Sequence, residues 1–230
     1  MNGLLKKDLF VIKNAYKLYL LIIAGLTFMS AFMNNGQAMM IYPSMIFGML
    51  PVSMYALDER DKWNTYALTM PYKRRDLVSE KYVLGIVLML VCMAINAAVL
   101  PVRMMTAALD VKEAIMVYEL FGQDIVMPMA AALAVETALH CIAVALLPTA
   151  VSLPFMFVLG AEKGRLASPF VIGIVVAIIV AFESDRIIID NDVQMGNVNM
   201  KMALLLVLIA AVLYAVSWVL SSALVKRRDF

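Results

Sequence analysis

The sequence is poor in the side chains that support metal or nucleophilic chemistry. Its 230 residues include one histidine and two cysteines. His140 and Cys141 are adjacent, so they point apart on a helix and do not form a metal site. An intramembrane protease of the glutamate type needs paired acids and several histidines in its spans to activate water. The two cysteines, Cys92 and Cys141, lie in long apolar runs and provide no disulfide framework. We therefore predict no metal site and no catalytic residues in this chain.

Charged residues are also scarce, at 16% of the chain, whereas 64% of its residues are hydrophobic. A soluble domain is about half apolar, so this composition, with a mean hydropathy of +0.89, predicts an integral membrane protein. The runs are continuously apolar, which favours helices over barrel strands. Six runs are long enough to cross a hydrocarbon layer of about 30 Å. The predicted spans are Leu18–Met33, Met39–Leu57, Tyr82–Met104, Val126–Leu159, Ala167–Phe182 and Met202–Val225.

The distribution of basic residues predicts the orientation of these spans. With both termini in the cytoplasm, 15 of the 19 Lys and Arg residues fall in cytoplasmic segments, as the positive-inside rule expects. The overall charge of +2 gives no basis for nucleic-acid binding. We predict an all-α, multi-pass plasma-membrane protein in which residues 1–230 form one transmembrane domain.

Two segments outside the spans have the pattern of amphipathic helices. Residues 1–17 carry apolar side chains on one helical face and lysines on the other, which is typical of a helix in the lipid headgroup region. The apolar face is formed by Leu5, Leu9, Ile12, Tyr16 and Tyr19. A plain basic flank that only fixes topology is the alternative. In the connection after the third span, a second short helix is predicted from Val111, Ile115, Tyr118 and Phe121.

A charged and aromatic segment, Asp58–Lys81, separates the second and third spans. Residues Asp58–Met70 can form a short helix that Pro71 ends, and Asp76 is placed to cap the third span. The apolar stripe of that helix consists of Trp63, Tyr66, Ala67 and Met70. Such a stripe suits a groove on a soluble partner. The alternative is an interfacial aromatic belt flanked by topology-fixing charges.

The spacing of residues in this segment matches a family pattern. The pattern L-x-E-x-D-x-W-x-x-Y-x-x-T-x-P-x-x-R is carried by Leu57, Glu59, Asp61, Trp63, Tyr66, Thr69, Pro71 and Arg74. It resembles the permease subunits of ABC-2 type exporters, and the segments Gly3–Leu9 and Asp76–Tyr82 fit the same family. The resemblance covers the whole chain. It is closest to small bacterial permeases that export amphipathic peptides such as phenol-soluble modulins, and to relatives that export antimicrobial peptides.

The resemblance implies a permease that works with a separate ABC ATPase subunit and with a second permease copy, as a homodimer or close heterodimer. The chain has no G-x-x-x-x-G-K-[ST] sequence, so ATP and Mg²⁺ would be held by the partner subunit. Asp58–Met70 would be the coupling helix, within a cytoplasmic coupling region at residues 58–81. The residues implied in ATPase coupling are Glu59, Asp61, Lys62, Trp63, Tyr66, Met70 and Arg74.

Three polar residues inside the predicted spans are candidates to line a substrate cavity: Asn96, Glu136 and His140. Ionisable groups in a bilayer are costly and usually face protein or a water-filled cavity. Glu136 and His140 are four residues apart and share a helical face. They could contact substrate, pair structurally with each other, or relay protons, and Asn96 could also bond two helices together. A proton relay would make the chain a proton- or ion-coupled secondary carrier, which is the alternative function.

Overall fold

The computed structural model describes residues 2–15, 17–30, 36–110, 115–120, 123–164, 173 and 200–225. Most of this described chain is helical. The helices are α1 (Asn2–Ala15), α2 (Lys17–Ser30), α3 (Gly36–Arg60), α4 (Trp63–Ala67), α5 (Arg74–Asp110), α6 (Met129–Leu159) and α7 (Met200–Leu224). Two strands, β1 (Ile115–Leu120) and β2 (Gln123–Pro128), lie between α5 and α6.

Three of the described helices contain a segment long and apolar enough to span a membrane. These segments are Arg74–Ala98 in α5, Val135–Leu159 in α6 and Ala203–Leu224 in α7, and they support the third, fourth and sixth predicted spans. Helices α2 and α3 lie at the positions of the first and second predicted spans. Over their described residues, neither contains a segment long and apolar enough to count as a candidate span. The fifth predicted span, Ala167–Phe182, lies outside the described residues apart from Gly173.

Helix α5 begins eight residues before the predicted start of the third span. The backbone N–H of Lys73 donates to the carboxylate of Asp76, with 3.1 Å between N and Oδ2. Asp76 therefore caps the helix from its third residue, as in a capping box, rather than from the predicted N-cap position. The turns of α5 before Tyr82 contain Glu80 and Lys81. Their charges lower the local hydropathy, so the predicted span begins after them, although both residues are helical.

The prediction of a short helix from Val111, Ile115, Tyr118 and Phe121 was wrong for Ile115 and Tyr118, which lie in β1, whereas Val111 and Phe121 lie outside the described residues. The all-α class is confirmed in a coarser form, as a mostly helical structure with candidate membrane spans. Strands β1 and β2 pair antiparallel, with Val117 opposite Val126. β-Branched and aromatic residues favour strands, and the two residues between the strands include Gly122, a residue that favours tight hairpins. The fold is therefore predominantly helical with one β-hairpin. The predicted fourth span, Val126–Leu159, is longer than α6 because its first residues belong to β2.

Helix α6 packs against α3, α5 and α7, and small residues allow its backbone to contact that of α3. A Cβ atom on Gly48 of α3 would overlap the carbonyl oxygen of Ala145 of α6. The hydroxyl of Thr149 donates to the Gly48 carbonyl oxygen at 2.7 Å. Close backbone contact at small residues is the common way to join helices in a membrane.

A set of hydroxyl groups fastens α7 to α5 and α6. The Tyr82 hydroxyl lies 2.6 Å from Ser217 Oγ and 2.8 Å from Ser221 Oγ. The Tyr214 hydroxyl donates to the Tyr82 carbonyl oxygen, and Ser217 donates to the Ala150 carbonyl oxygen. These bonds hold α7 against both α5 and α6.

Helix α1 packs against the rest of the protein through a face that repeats every four residues. Leu4, Asp8 and Ile12 are buried on this face, whereas Leu9 and Phe10 are exposed. The residues of the predicted lipid-facing stripe therefore have different surroundings. Ile12 belongs to a core cluster with residues of α2, α3 and α5, whereas Leu9 is exposed. The position of α1 at the lipid headgroups stays a prediction, and Leu9 and Phe10 are the described apolar residues available for it.

Candidate functional site

The segment between α3 and α5, residues 61–73, is called the 61–73 loop below. The prediction of one helix over Asp58–Met70 was wrong in its limits. Helix α3 continues to Arg60, and Lys62 then adopts a left-handed conformation with φ of 55°. A residue other than glycine is uncommon in this region, and it breaks the helix before the five-residue α4 begins.

The inner face of the 61–73 loop is anchored to α1 and α5. Ala67 is fully buried and forms a small apolar cluster with Leu4 of α1 and Leu77 of α5. Trp63 is half-buried against this cluster, and Lys7 Nζ lies 4.7 Å from the centroid of its ring, a cation–π contact. Trp63 therefore holds the loop in place and is not a freely projecting side chain.

The outer face of the 61–73 loop is polar around one aromatic ring. Tyr66 is 55% exposed, and its ring centroid lies 5.4 Å from that of the half-buried Trp63. The other exposed residues of this face include Asp61, Lys62, Thr65 and Thr69. Met70 is half-exposed. An exposed aromatic residue within a polar rim has the composition of a protein-binding hot spot.

Glu59 and Arg74, the remaining residues of the predicted coupling set, flank the loop. Glu59 Oε2 accepts a hydrogen bond of 2.7 Å from the backbone N–H of Ala161, just after α6. The preceding Gly160 has φ of 86°, which suits glycine because it lacks a Cβ atom. Glu59 therefore ties the end of α3 to the end of α6. Arg74 is half-exposed at the first residue of α5.

Charged side chains also meet beneath the loop, where α1, α3 and α5 come together. This buried ion cluster consists of Lys7, Asp8, Asp58, Glu80 and Lys81. Lys81 Nζ lies 2.5 Å from Asp8 Oδ2 and 2.6 Å from Asp58 Oδ2. Lys7 Nζ lies 2.5 Å from Asp58 Oδ1 and 3.0 Å from Asp8 Oδ1. The side chains of Lys81 and Asp8 are 2% and 1% exposed.

The two lysines of this cluster keep the Asp8 carboxylate charged. Burial by itself raises the pKa of Asp8, but the attraction of Lys81 and Lys7 outweighs it and holds the pKa below its ordinary value of 3.8. This cluster was not predicted from the sequence. Its one visible signal was an acid, Asp8, on the same helical face as the apolar Leu4 and Ile12. Its partners could not be identified because they come from distant parts of the chain.

The three predicted cavity residues lie on two helices. Asn96 of α5 is buried, and its Nδ2 donates to Cys92 Sγ at 3.7 Å. Asn96 Oδ1 has no hydrogen-bond partner within the described residues. In α6, His140 Nδ1–H donates to the main-chain carbonyl oxygen of Glu136 at 2.9 Å. This bond therefore uses the backbone of Glu136 rather than its carboxylate, and both side chains are half-exposed.

Comparison with known proteins identifies the family. The family model described as ABC-2 family transporter protein matches residues 3–226. No curated protein and no solved structure gives a significant match. The matched residues include α1 from Gly3 onward, the 61–73 loop and the three candidate spans. Because this match covers nearly all of the 230 residues, the chain belongs to the ABC-2 family of transporter proteins.

Proposed function

We propose that this chain is the membrane permease subunit of an ATP-driven exporter of amphipathic or antimicrobial peptides. Membership of the ABC-2 family supports a permease, and the family implies an ABC ATPase partner in general. The sequence has no P-loop, and in this proposal a separate subunit binds ATP. In the proposed complex two permeases and two ATPases work together in a bacterial plasma membrane.

The observation that carries the proposed ATPase interaction is the exposure of Tyr66. Its short helix is held from the opposite side by the fully buried Ala67 and the half-buried Trp63. An aromatic side chain on an anchored helix loses little conformational freedom on binding, so most of its buried area contributes to affinity. In this proposal Tyr66 and Asp61 contact the ATPase, whereas Trp63 supports them from below.

The contacts around the loop provide a path for mechanical coupling. The buried ion cluster connects the end of α3 to α1 and α5 through Asp58, Asp8 and Lys81. Glu59 connects the same end of α3 to the backbone after α6. A displacement of the loop by the ATPase would therefore move several helices together, as in other rigid-body transitions.

The peptide cargo is supported by the family resemblance and by the chemistry of the spans. An amphipathic peptide needs an apolar surface with few polar groups. The 20 methionines of the chain offer flexible apolar contacts. Asn96 brings a buried amide oxygen without a hydrogen-bond partner in the described part of the chain. Glu136 and His140 add half-exposed polar groups on α6.

Co-purification tests the ATPase interaction. The tagged full chain is expressed with the ATP-binding protein encoded beside it, and the amount of that protein recovered is measured. Tyr66→Ala should weaken the complex by about 2 kcal/mol, or about 30-fold in Kd. Lys13→Ala, which removes an exposed side chain of α1, is the matched control and should have no effect. Equal recovery with both variants would contradict the proposed docking surface.

ATP hydrolysis by the reconstituted complex tests the cargo. A cationic amphipathic helical peptide should stimulate hydrolysis, whereas a peptide of the same composition with its apolar residues scattered should not. Equal stimulation by both peptides, or by neither, would contradict peptide export. Such a result would concern the cargo alone, since the interaction of the permease with its ATPase is tested separately by the co-purification experiment.

A further inference from the structure

We propose that this chain carries a binding site for the phosphate group of an anionic phospholipid, where the start of α5 meets the end of α7. A cavity at this place is lined by Arg75, Trp218, Val219, Ser222 and Ala223, and these five residues are called the headgroup site. Arg75 belongs to the first turn of α5, and the other four belong to the last turns of α7.

The first element of the headgroup site is an oriented guanidinium group. The guanidinium carbon of Arg75 lies 5.4 Å from the centroid of the Trp218 ring. The indole is itself held in place because its Nε1–H donates to Ser79 Oγ at 3.2 Å. A guanidinium stacked on a ring keeps its N–H edges available for the oxygens of a phosphate.

The second element is a buried hydroxyl group. Ser222 is 9% exposed, and its Oγ has no hydrogen-bond partner within the described residues. It stands four residues after Trp218 and therefore lies on the same face of α7. A buried polar atom without a partner is costly. A phosphate oxygen in the cavity would accept the hydroxyl proton while pairing with Arg75.

The position of the site favours a lipid over a free phosphate ion. The candidate span of α5 begins at Arg74 and that of α7 ends at Leu224, so the cavity lies at the same end of both spans, at headgroup depth. Val219 is 61% exposed beside the cavity, and Val216, about one turn closer to the middle of α7, is exposed as well. These side chains offer an apolar surface for the acyl chains.

The charge of the site favours an anionic lipid. Arg75 is the charged residue among those that line the cavity in the described part of the chain. It also lies in the first turn of the 37-residue α5, where the helix dipole favours negative charge, and Asp76, which caps that turn, is not among the residues that line the cavity. No carboxylate lines the cavity there to oppose it.

Lipid binding to the purified full chain tests the proposal. The chain in detergent is titrated with phosphatidylglycerol, phosphatidylcholine or inorganic phosphate, and bound lipid is counted by native mass spectrometry. The wild type should prefer phosphatidylglycerol. Arg75→Gln should weaken that binding about ten-fold, because it removes a charge-assisted bond. Ser222→Ala should weaken it less. Lys73→Gln removes an exposed charge two residues away, outside the cavity, and should leave binding within about two-fold.

Several results would overturn the proposal. One is the same loss of phosphatidylglycerol binding in Arg75→Gln and Lys73→Gln, which would indicate attraction by total charge alone. Inorganic phosphate bound as tightly as phosphatidylglycerol would make this an ion site. Unchanged lipid binding in Arg75→Gln would by itself overturn the proposal, and reduced recovery of the ATPase subunit with that variant would make Arg75 a protein contact. The lipid titration needs no ATPase and no peptide, so its failure is separate from failure of the proposed export function.

Discussion

Replacement of Lys81 by methionine would remove the positive charge at the centre of the buried ion cluster. Asp8 and Asp58 would then each lose a hydrogen-bonding partner at 2.5 and 2.6 Å. Breaking a buried ion pair typically costs about 3–5 kcal/mol, because the remaining charge stays buried. Lys7 still contacts both carboxylates, so we expect the lower limit, about 3 kcal/mol. For a chain of this size that corresponds to a fall in Tm of about 6–12 °C.

The fall in Tm can be measured by heating the detergent-purified chain and following the folded peak in size-exclusion chromatography. Lys163→Met is the matched control, because Lys163 is exposed just after α6, and its Tm should stay close to that of the wild type. A Tm for Lys81→Met within about 1 °C of this control would refute the reasoning. Asp8→Asn combined with Lys81→Met should cost less than the sum of the two changes, since contacting groups couple by about 0.5–3 kcal/mol.

Two further predictions concern stability. The pKa of Asp8 is lower in the folded protein than its ordinary 3.8, so its ionised form stabilises the fold above that pH. The Tm difference between wild type and Asp8→Asn should therefore be constant from about pH 6 to 5 and decrease as pH falls below 3.8; a difference that decreases between pH 6 and 5 would contradict this. Gly48→Ala should lower the free energy of unfolding by about 1–3 kcal/mol, because its methyl group overlaps the Ala145 carbonyl oxygen. Gly25→Ala has no neighbour within 4 Å of its new methyl group and is the control. Equal effects of the two alanines would argue against close packing of α3 on α6.

The family and much of the helical framework could be predicted from the sequence. Apolar length placed α5, α6 and α7, since each has one long run that a bilayer would hold as helix. The start of α5 could not be placed in this way. Its first turns contain Glu80 and Lys81, and charged residues at the edge of an apolar run are predicted to lie in a loop when hydropathy is the only criterion. Their burial depends on partners from α1 and α3, which no local pattern identifies.

The candidate site was predicted in position but not in detail. The periodicity of residues 63–70 placed Trp63 and Tyr66 on one stripe, but the left-handed Lys62 interrupts the chain before this stripe. Both rings lie in α4, but their surroundings differ: Trp63 packs against α1 and Tyr66 faces outward. A residue with positive φ has no reliable signal in sequence unless it is glycine or asparagine.

The two tryptophans of the chain have a consequence for how its motions can be observed. Trp63 contacts Lys7, and Trp218 contacts Arg75 and Ser79, so both indoles lie where the 61–73 loop joins the helices. They are the only tryptophans in the sequence. The intrinsic tryptophan emission of the protein is therefore a local optical signal from this end of the molecule. Single Trp→Phe variants would separate its two sources, so that nucleotide-dependent and lipid-dependent changes could be timed by stopped-flow fluorescence without an attached dye.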